Sequence, residues 1–371
     1  MNAPFEILMA NAVFISDDFD IKSVNEYLSL WDVSNDHKMQ FVSTLNHLVD
    51  AHSHFVQLAK EQKHQTVELS PAADHIVSRL LQQKTTAQRT LAWYKQGQEV
   101  LTASQFATLT KSPRTRGQLV LEKAKQLTEA DISVKPLCCH TFGMRPFDWG
   151  IRFEPIAKQL YQDITKTVVA DLGRLMHSVL PSLAASPDGL IVSDTLGSIG
   201  SRKGRLVEYK APISRVITSE VPKDYYVQMQ IQMEVADVEL CDYFEITCMS
   251  PGVKNYVEPT VDTKGYGNIF LIGLYERPHR YEYSPLNNKE WTPDLKENEC
   301  ILETIPWWCT GYNLKTVERS KEWFESMKIP MNAFWEDVEK AKKGEFVLVE
   351  TTRKRKLDSC KIVDEDNQTP L

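Results

Sequence analysis

The chain has 371 residues, of which 42% are hydrophobic and 25% charged, which is typical of a globular protein with a large core. Its net charge of −7 excludes a uniformly basic surface, although a local basic groove for an anionic partner stays compatible with it. No apolar run approaches the roughly 20 residues of a membrane helix, no signal peptide is recognisable, and the odd number of cysteines, 7, predicts free thiols in a reducing compartment.

Residues 1–85 are predicted to form an N-terminal helical subdomain. Apolar residues recur there at helical spacing, as at Val24, Leu28 and Trp31, and the stretch contains no glycine. Three of its histidines are expected to be surface residues rather than metal ligands: His52, His54 and His64.

Two short segments after this region are candidate phosphate contacts. Ser104 stands at a predicted helix start, where exposed amides can bind an anion or the hydroxyl can simply cap the helix. Arg114 and Arg116 belong to a predicted basic loop, Lys111–Gly117, which suits either a nucleic-acid backbone or plain solvent contact.

A helix is predicted around Glu154. Pro155 fits the first turn of a helix much better than its interior, so Glu154 is expected at the helix start. A carboxylate in that position either completes a metal site or complements the helix dipole.

The segment from Ser186 to Lys210 is predicted to be a β-hairpin that carries the most informative acidic residues. Leu190–Val192 and Leu206–Lys210 suit its two strands, and the residues between them are rich in glycine and serine. The hairpin returns Asp188 towards Glu208, and alternation along the strand puts Glu208 and Lys210 on one face.

Two carboxylates and a lysine at one point suit Mg²⁺-assisted phosphodiester hydrolysis. Mg²⁺ prefers oxygen ligands, and Lys210 can hold the attacking water or stabilise developing negative charge. An acidic residue two positions before a lysine is common, however, and also occurs at Asp20, Glu61 and Asp262. A solvated edge strand therefore explains the triplet equally well.

Residues beyond the hairpin extend the candidate site. Arg215 is a candidate fork for a phosphate group. An amphipathic helix after Pro222 puts Gln228 and Gln232 one turn apart, and its amides, Gln230 included, can bond a substrate backbone or orient Lys210.

The order of elements predicts an α/β fold with a central mixed sheet flanked by helices. The strand-like runs 241–249 and 268–274 follow the amphipathic helix, and residues 315–343 return to helix. We expect a core domain over residues 86–345 and a polar C-terminal tail over residues 346–371.

Five segments together resemble the lambda exonuclease and YqaJ-type viral recombinase family of PD-(D/E)XK nucleases. Over residues 86–250 they occur in the order and approximate spacing of that family, which makes the set more specific than any single segment. They are Trp93 with Leu101–Ser104, Trp149–Ala157, Ala185–Gly189, Leu206–Pro212 and Tyr226–Gln230.

The resemblance implies a restriction-endonuclease-like core and a role for each matching residue. Asp188 and Glu208 match Mg²⁺ ligands, assisted by the backbone carbonyl of Tyr209 and by Glu154. Lys210 matches the catalytic lysine, and Gln228 matches a helix glutamine at the catalytic centre. The residues that match the pocket for a 5′-terminal phosphate are Ser104, Ser186 and Arg215.

The chain departs from the family pattern at Gly97 and Gln98, where some relatives have an arginine. The resemblance implies a Mg²⁺-dependent deoxyribonuclease, with Mn²⁺ able to substitute, that degrades double-stranded DNA from 5′ ends in viral or phage recombination. An endonuclease that cuts DNA or RNA and a non-catalytic DNA-binding scaffold remain alternatives. A single-strand annealing protein is the expected partner, no membrane is involved, and the host nucleus or a cytoplasmic replication site is the expected location.

Overall fold

The structure is a computed structural model that describes residues 69–86, 90–125, 144–195, 200–252, 258–260, 262–275 and 277–349. The chain divides into two compact units, Met1–Leu69 and Ser70–Leu371, and the described residues other than Leu69 belong to the second. The predicted helices of residues 1–68 with their histidines, and the tail beyond residue 349, lie outside the described residues.

Helices and strands alternate along the described residues. The helices are α1 Leu69–Gln82, α2 Leu91–Glu99, α3 Ala103–Phe106, α4 Pro113–Ala124, α5 Pro146–Thr165, α6 Lys223–Ala236 and α7 Lys321–Lys342. The strands are β1 Leu101–Thr102, β2 Thr167–Ala170, β3 Leu175–Met176, β4 Leu183–Ala185, β5 Gly189–Asp194, β6 Leu206–Lys210, β7 Leu240–Met249, β8 Gly265–Leu274, β9 Arg277–Tyr283 and β10 Glu299–Glu318.

The main sheet has seven strands in the order β2-β5-β6-β7-β10-β8-β9. Only β6 and β7 are parallel among its neighbours, and α6 makes the crossover between them; the other neighbouring pairs are antiparallel. A smaller sheet has the order β1-β4-β3, with β1 parallel to β4. The prediction of an α/β fold with a central mixed sheet flanked by helices is confirmed.

The strand β6 is buried on both faces, because its successive residues pack into two separate hydrophobic clusters. Leu206 belongs to a cluster with side chains of α4, α6 and α7, whereas Val207 belongs to a cluster with side chains of α5. The strand β6 lies between β5 and β7, so it is a central strand. This position decides against a solvated edge strand and puts the face of Glu208 beneath α6.

Helix α5 differs from the prediction, because it begins at Pro146 and contains Pro155 in its interior. Glu154 is therefore the ninth residue of a 20-residue helix and does not stand at its start. An interior proline costs a helix about 3 kcal/mol. Burial of an apolar stripe on both sides of Pro155, including Trp149, Phe153 and Ile156, offsets that cost.

Helix α4 contains most of the predicted basic loop. Ser112 is its N-cap and accepts a hydrogen bond from the backbone N–H of Thr115, and Pro113 occupies the first turn. Arg114 and Arg116 are therefore helical residues. Among the described residues, no helix is both long and apolar enough to cross a membrane.

Candidate active site

The β5–β6 hairpin brings the two central carboxylates together. Gly189 pairs with Val207 across the antiparallel strands, so Asp188 comes alongside the strand that carries Glu208. Position 189 has to be glycine, because a Cβ there would lie 2.2 Å from Cγ1 of Val169. The Asp-Gly pair thus lets the start of β5 approach β2 closely while Asp188 stays at the strand end.

Asp188 is fixed by the backbone of β6. Its Oδ2 accepts a 2.8 Å hydrogen bond from the N–H of Tyr209. Burial, the negative charge of Glu208 and then that of Glu154 raise the pKa of Asp188, and the charge of Lys210 and the Tyr209 hydrogen bond oppose that shift. The carboxylates of the predicted site are therefore close enough to repel one another, which is the condition that a bound cation relieves.

Glu208 is completely buried and is held by three donors. Lys210 Nζ donates to Oε1 in a short contact, and Gln228 Nε2 donates to the same oxygen over 2.7 Å. Gln232 Nε2 donates to Oε2 over 2.6 Å. Because α6 lies over this face of the sheet, it supplies both amides from adjacent turns.

Lys210 is held in its charged form. Burial opposes its charge, but the negative charges of Glu208 and Asp188 outweigh that effect and raise the pKa of Lys210 above its usual value. Its Nζ also lies 4.8 Å from the centre of the Tyr225 ring at the start of α6. A fixed ammonium between two carboxylates can neutralise charge that develops nearby.

The donor set fits a hard divalent cation. Within the described ranges, no three His, Cys, Asp or Glu side chains are arranged to enclose a metal ion by themselves. Mg²⁺ commonly binds through one or two carboxylates and keeps several waters, so Asp188 and Glu208 are a sufficient side-chain set. The Tyr209 side chain is buried in the α5 cluster, so only its backbone is available for ligation.

Arg215 is engaged by a buried carboxylate. Its Nη2 donates to Glu245 Oε1 in a short contact and to the Tyr243 hydroxyl over 3.4 Å. Glu245 is fully buried and pairs with Lys210 across the parallel strands β6 and β7. The side chain of Arg215 remains 36% exposed, so it is still accessible from solvent.

The structure links Ser186 to a buried guanidinium near the predicted phosphate pocket. Ser186 Oγ accepts a 3.3 Å hydrogen bond from Trp93 Nε1, and Arg174 Cζ lies 4.1 Å from the centre of the Trp93 ring. Nη1 of Arg174 lies 3.2 Å from the position that a Cβ of Gly97 would occupy. Arg174 therefore fills the space that the missing side chain leaves. Ser104 is exposed in the short helix α3, and its hydroxyl contacts that of Thr102 over 3.3 Å.

Two of the predicted substrate contacts, Gln230 and Arg116, have protein partners in this structure. The Gln230 side chain bonds away from the site, since its Nε2 donates to Glu318 O over 2.7 Å and its Oε1 accepts from Ser320 N over 2.7 Å. Arg116 forms a 2.7 Å ion pair with Asp337 on α7, so it joins two helices. Arg114 is exposed on α4, and neither arginine lies in a loop.

Gln232 was predicted from the sequence as a candidate partner of the substrate backbone or of Lys210, because it follows Gln228 by one helical turn. Glu245 and Arg174 were not predicted from the sequence. Strand pairing and a connection between strands bring them in from segments without a motif.

Comparison with solved structures gives two exonucleases at low sequence identity. An alkaline exonuclease (LHK-Exo) from Laribacter hongkongensis matches with a TM-score of 0.41 and 18% identity, over 69% of this chain and 95% of that chain. A phage related exonuclease from Haemophilus somnus 129PT matches with a TM-score of 0.38 and 12% identity, over 66% and 96% of the two chains.

Sequence comparison gives a viral relative and a domain family. An uncharacterized protein of Acanthamoeba polyphaga mimivirus is 27% identical over 234 residues, which are 51% of this chain and 42% of that protein, so the match spans less than half of the relative. Residues 92–239 match the YqaJ-like viral recombinase domain, a range that contains Asp188, Glu208, Lys210 and Gln228. The sequence comparisons therefore give a YqaJ-like viral recombinase domain over residues 92–239, which is less than half of this chain.

Proposed function

We propose that this protein is a Mg²⁺-dependent deoxyribonuclease that degrades double-stranded DNA from 5′ ends during viral or phage recombination. The observation that carries the proposal is the convergence of Asp188, Glu208 and Lys210 on one point beneath α6. The match of residues 92–239 to the YqaJ-like viral recombinase domain supports DNA as the substrate and recombination as the setting. A single-strand annealing partner remains an expectation from that family.

The residues of the site divide the chemistry between them. Asp188 and Glu208 would hold a divalent cation, which would supply Lewis acidity towards the phosphoryl group and lower the pKa of a nearby water. Lys210 orients the attacking water and offsets negative charge in the transition state, because its ammonium is fixed beside both carboxylates. Glu154 adds negative charge on the α5 side of Asp188, which favours a cation there. No role in reading bases is assigned to any of these residues.

Arg174 favours exonuclease over endonuclease action. Its buried guanidinium takes the place that Gly97 leaves open and connects through Trp93 to Ser186, two residues before Asp188. A guanidinium recognises a phosphate monoester well. We assign Arg174, with Ser186 and Ser104, to the 5′-terminal phosphate, and Arg215 to the DNA backbone at the rim of the site.

The test is a digestion time course on three matched DNA duplexes: linear with 5′ phosphates, linear with 5′ hydroxyls, and covalently closed circular. With Mg²⁺ or Mn²⁺ we expect rapid loss of the phosphorylated duplex, slower loss of the hydroxyl duplex and an intact circle, and no cutting in EDTA. Lys210→Met and Asp188→Asn are each expected to lower the rate by at least about 10²-fold while DNA binding at low salt persists.

A matched control separates loss of chemistry from loss of structure. Lys328→Met removes a lysine of an ion pair with Glu325 on α7 and should cleave as the wild type does. Equal cutting of the closed circle would make the protein an endonuclease. If the protein binds the DNA but leaves it intact in every reaction, it is a non-catalytic scaffold. If it cleaves a matched RNA duplex at a similar rate, the assignment of DNA as the substrate is contradicted.

A further inference from the structure

Gln232 donates a hydrogen bond to one oxygen of Glu208, and Lys210 and Gln228 donate to the other. Its side chain is fully buried in α6, and its Nε2 donates to Glu208 Oε2 over 2.6 Å. Gln228, one turn earlier, donates to Oε1 over 2.7 Å. The two amides therefore hold both oxygens of one carboxylate and oppose rotation about its terminal bond.

We propose that Gln232 is a positioning residue that fixes Glu208 for a divalent cation, an inference that rests on the metal site of the proposed function. Each carboxylate oxygen has two acceptor positions. On Glu208 Oε1 these are taken by Lys210 and Gln228, whereas Oε2 accepts from Gln232 alone among the described residues. The position that Glu208 offers to a cation is the second one on Oε2, and Gln232 sets its direction.

The surroundings of Gln232 favour this role over a purely structural one. Its Oε1 is buried without a hydrogen-bond partner among the described residues, an arrangement that costs stability. Gln230 on the opposite face has both ends of its amide bonded, to Glu318 O and Ser320 N. Gln230 thus shows what a structural glutamine of this helix does, and Gln232 keeps only the bond to Glu208.

The experiment measures metal affinity without turnover. Isothermal titration of Mg²⁺ and of Mn²⁺ into the DNA-free protein is compared for the wild type, Gln232→Met and Gln230→Met. Residues that orient a metal ligand typically contribute 10- to 100-fold in affinity, so we expect the Kd of Gln232→Met to rise by about that factor. Gln230→Met should lose thermal stability and keep the wild-type Kd.

A second variant keeps the proposal testable if Gln232→Met does not fold. Gln232→Asn keeps an amide but is shorter by one methylene, so it cannot reach Glu208 in place of Gln232, and its Kd should rise as well. In DNA digestion, the Mg²⁺ concentration for half-maximal rate should rise in parallel. The rate at saturating Mg²⁺ should recover most of the wild-type value.

The outcomes distinguish this inference from the proposed function. If the wild type binds Mg²⁺ and degrades DNA while both Gln232 variants bind Mg²⁺ as tightly as it does, the positioning role is overturned and the nuclease stands. A rise in Kd of the same size in Gln230→Met overturns it too, because a general loss of packing then explains both. If the wild type binds neither ion, both proposals fail.

Discussion

Asp188 accepts a hydrogen bond from the backbone N–H of Tyr209, the residue between Glu208 and Lys210. This bond ties the carboxylate at the start of β5 to the middle of β6. The two strands therefore cannot move apart without separating Asp188 from Glu208. The structure keeps two like charges close together by a backbone contact that does not depend on a bound cation.

Asp188→Asn should stabilise the metal-free protein while it lowers the rate of cleavage. Burial and the charges of Glu208 and Glu154 raise the pKa of Asp188, and an asparagine removes that repulsion while its oxygen can still accept from Tyr209. We expect a gain of about 1 kcal/mol in the free energy of unfolding, measured by urea denaturation in EDTA near neutral pH.

The gain should depend on pH in a defined direction. Because the folded pKa of Asp188 lies above the ordinary value of 3.8, the folded state binds more protons than the unfolded state above that pH. The wild type therefore loses stability as pH rises through this range, and the advantage of Asp188→Asn should grow. A variant that is less stable than the wild type in EDTA at pH 7 would contradict this account.

Local patterns predicted the part of the site that lies on contiguous segments. The hairpin was predicted from two apolar runs around a glycine-rich turn, and α6 was predicted from its amphipathic spacing. Asp188, Glu208 and Gln228 could therefore be predicted from the sequence. The prediction that Glu154 and Pro155 stand at a helix start was wrong, because the packing of α5 outweighs the free-energy cost of an interior proline.

Partners supplied by distant segments could not be predicted. Glu245 reaches Arg215 and the neighbourhood of Lys210 only because β7 pairs in parallel with β6 after a helical crossover. Arg174 reaches Gly97 through a connection between β2 and β3 that carries no motif. Side-chain pairing at such sequence separation depends on the register of the fold, which periodicity does not fix.

Arg215→Gln should destabilise the protein more than the double variant Arg215→Gln/Glu245→Gln. Glu245 is fully buried, and burial raises its pKa, so the single variant leaves a buried carboxylate without its ionic partner. Breaking such a pair typically costs about 3–5 kcal/mol, whereas neutralising both members costs less. Urea denaturation of the two variants and of Glu245→Gln completes the cycle, and simple additivity of the single losses would refute the coupling.

Removing Arg174 should abolish the preference for 5′-phosphorylated ends. Arg174→Met and Arg174→Lys are each expected to degrade phosphorylated and hydroxyl duplexes at similar rates, because neither retains the guanidinium over Trp93. The ratio of the two initial rates is the measurement. If Arg174→Met preserves the ratio of the two rates, Arg174 has no part in recognising the DNA end. The proposal for the metal site is unaffected by that result.

Moving the guanidinium from position 174 to position 97 tests its role in end recognition more directly. Gly97→Arg alone should be destabilising, because its Cβ would meet Arg174 Nη1 at 3.2 Å. The double variant Gly97→Arg/Arg174→Ala opens that space and supplies a guanidinium from α2. We expect it to recover part of the end preference that Arg174→Ala alone loses, and no recovery would argue that Arg174 acts only through packing.

Lys123 makes the free energy of unfolding increase at alkaline pH. Its side chain is only 4% exposed, its Nζ donates to Gly97 O and Val100 O at the end of α2, and burial lowers its pKa from 10.5 to about 8. Between these two values the unfolded chain retains a proton that the folded protein has released. Stability therefore rises with pH across that window.

Lys123→Met removes this effect, so the stability of the wild type relative to the variant should increase from about pH 8 to about pH 10.5. The shift corresponds to a change on the order of 3 kcal/mol, to be measured as the difference in unfolding free energy by urea denaturation at several pH values. Lys328→Met, on the surface of α7, should follow the wild type in parallel. A difference between wild type and Lys123→Met that stays constant with pH would show that Lys123 does not release its proton in the folded state.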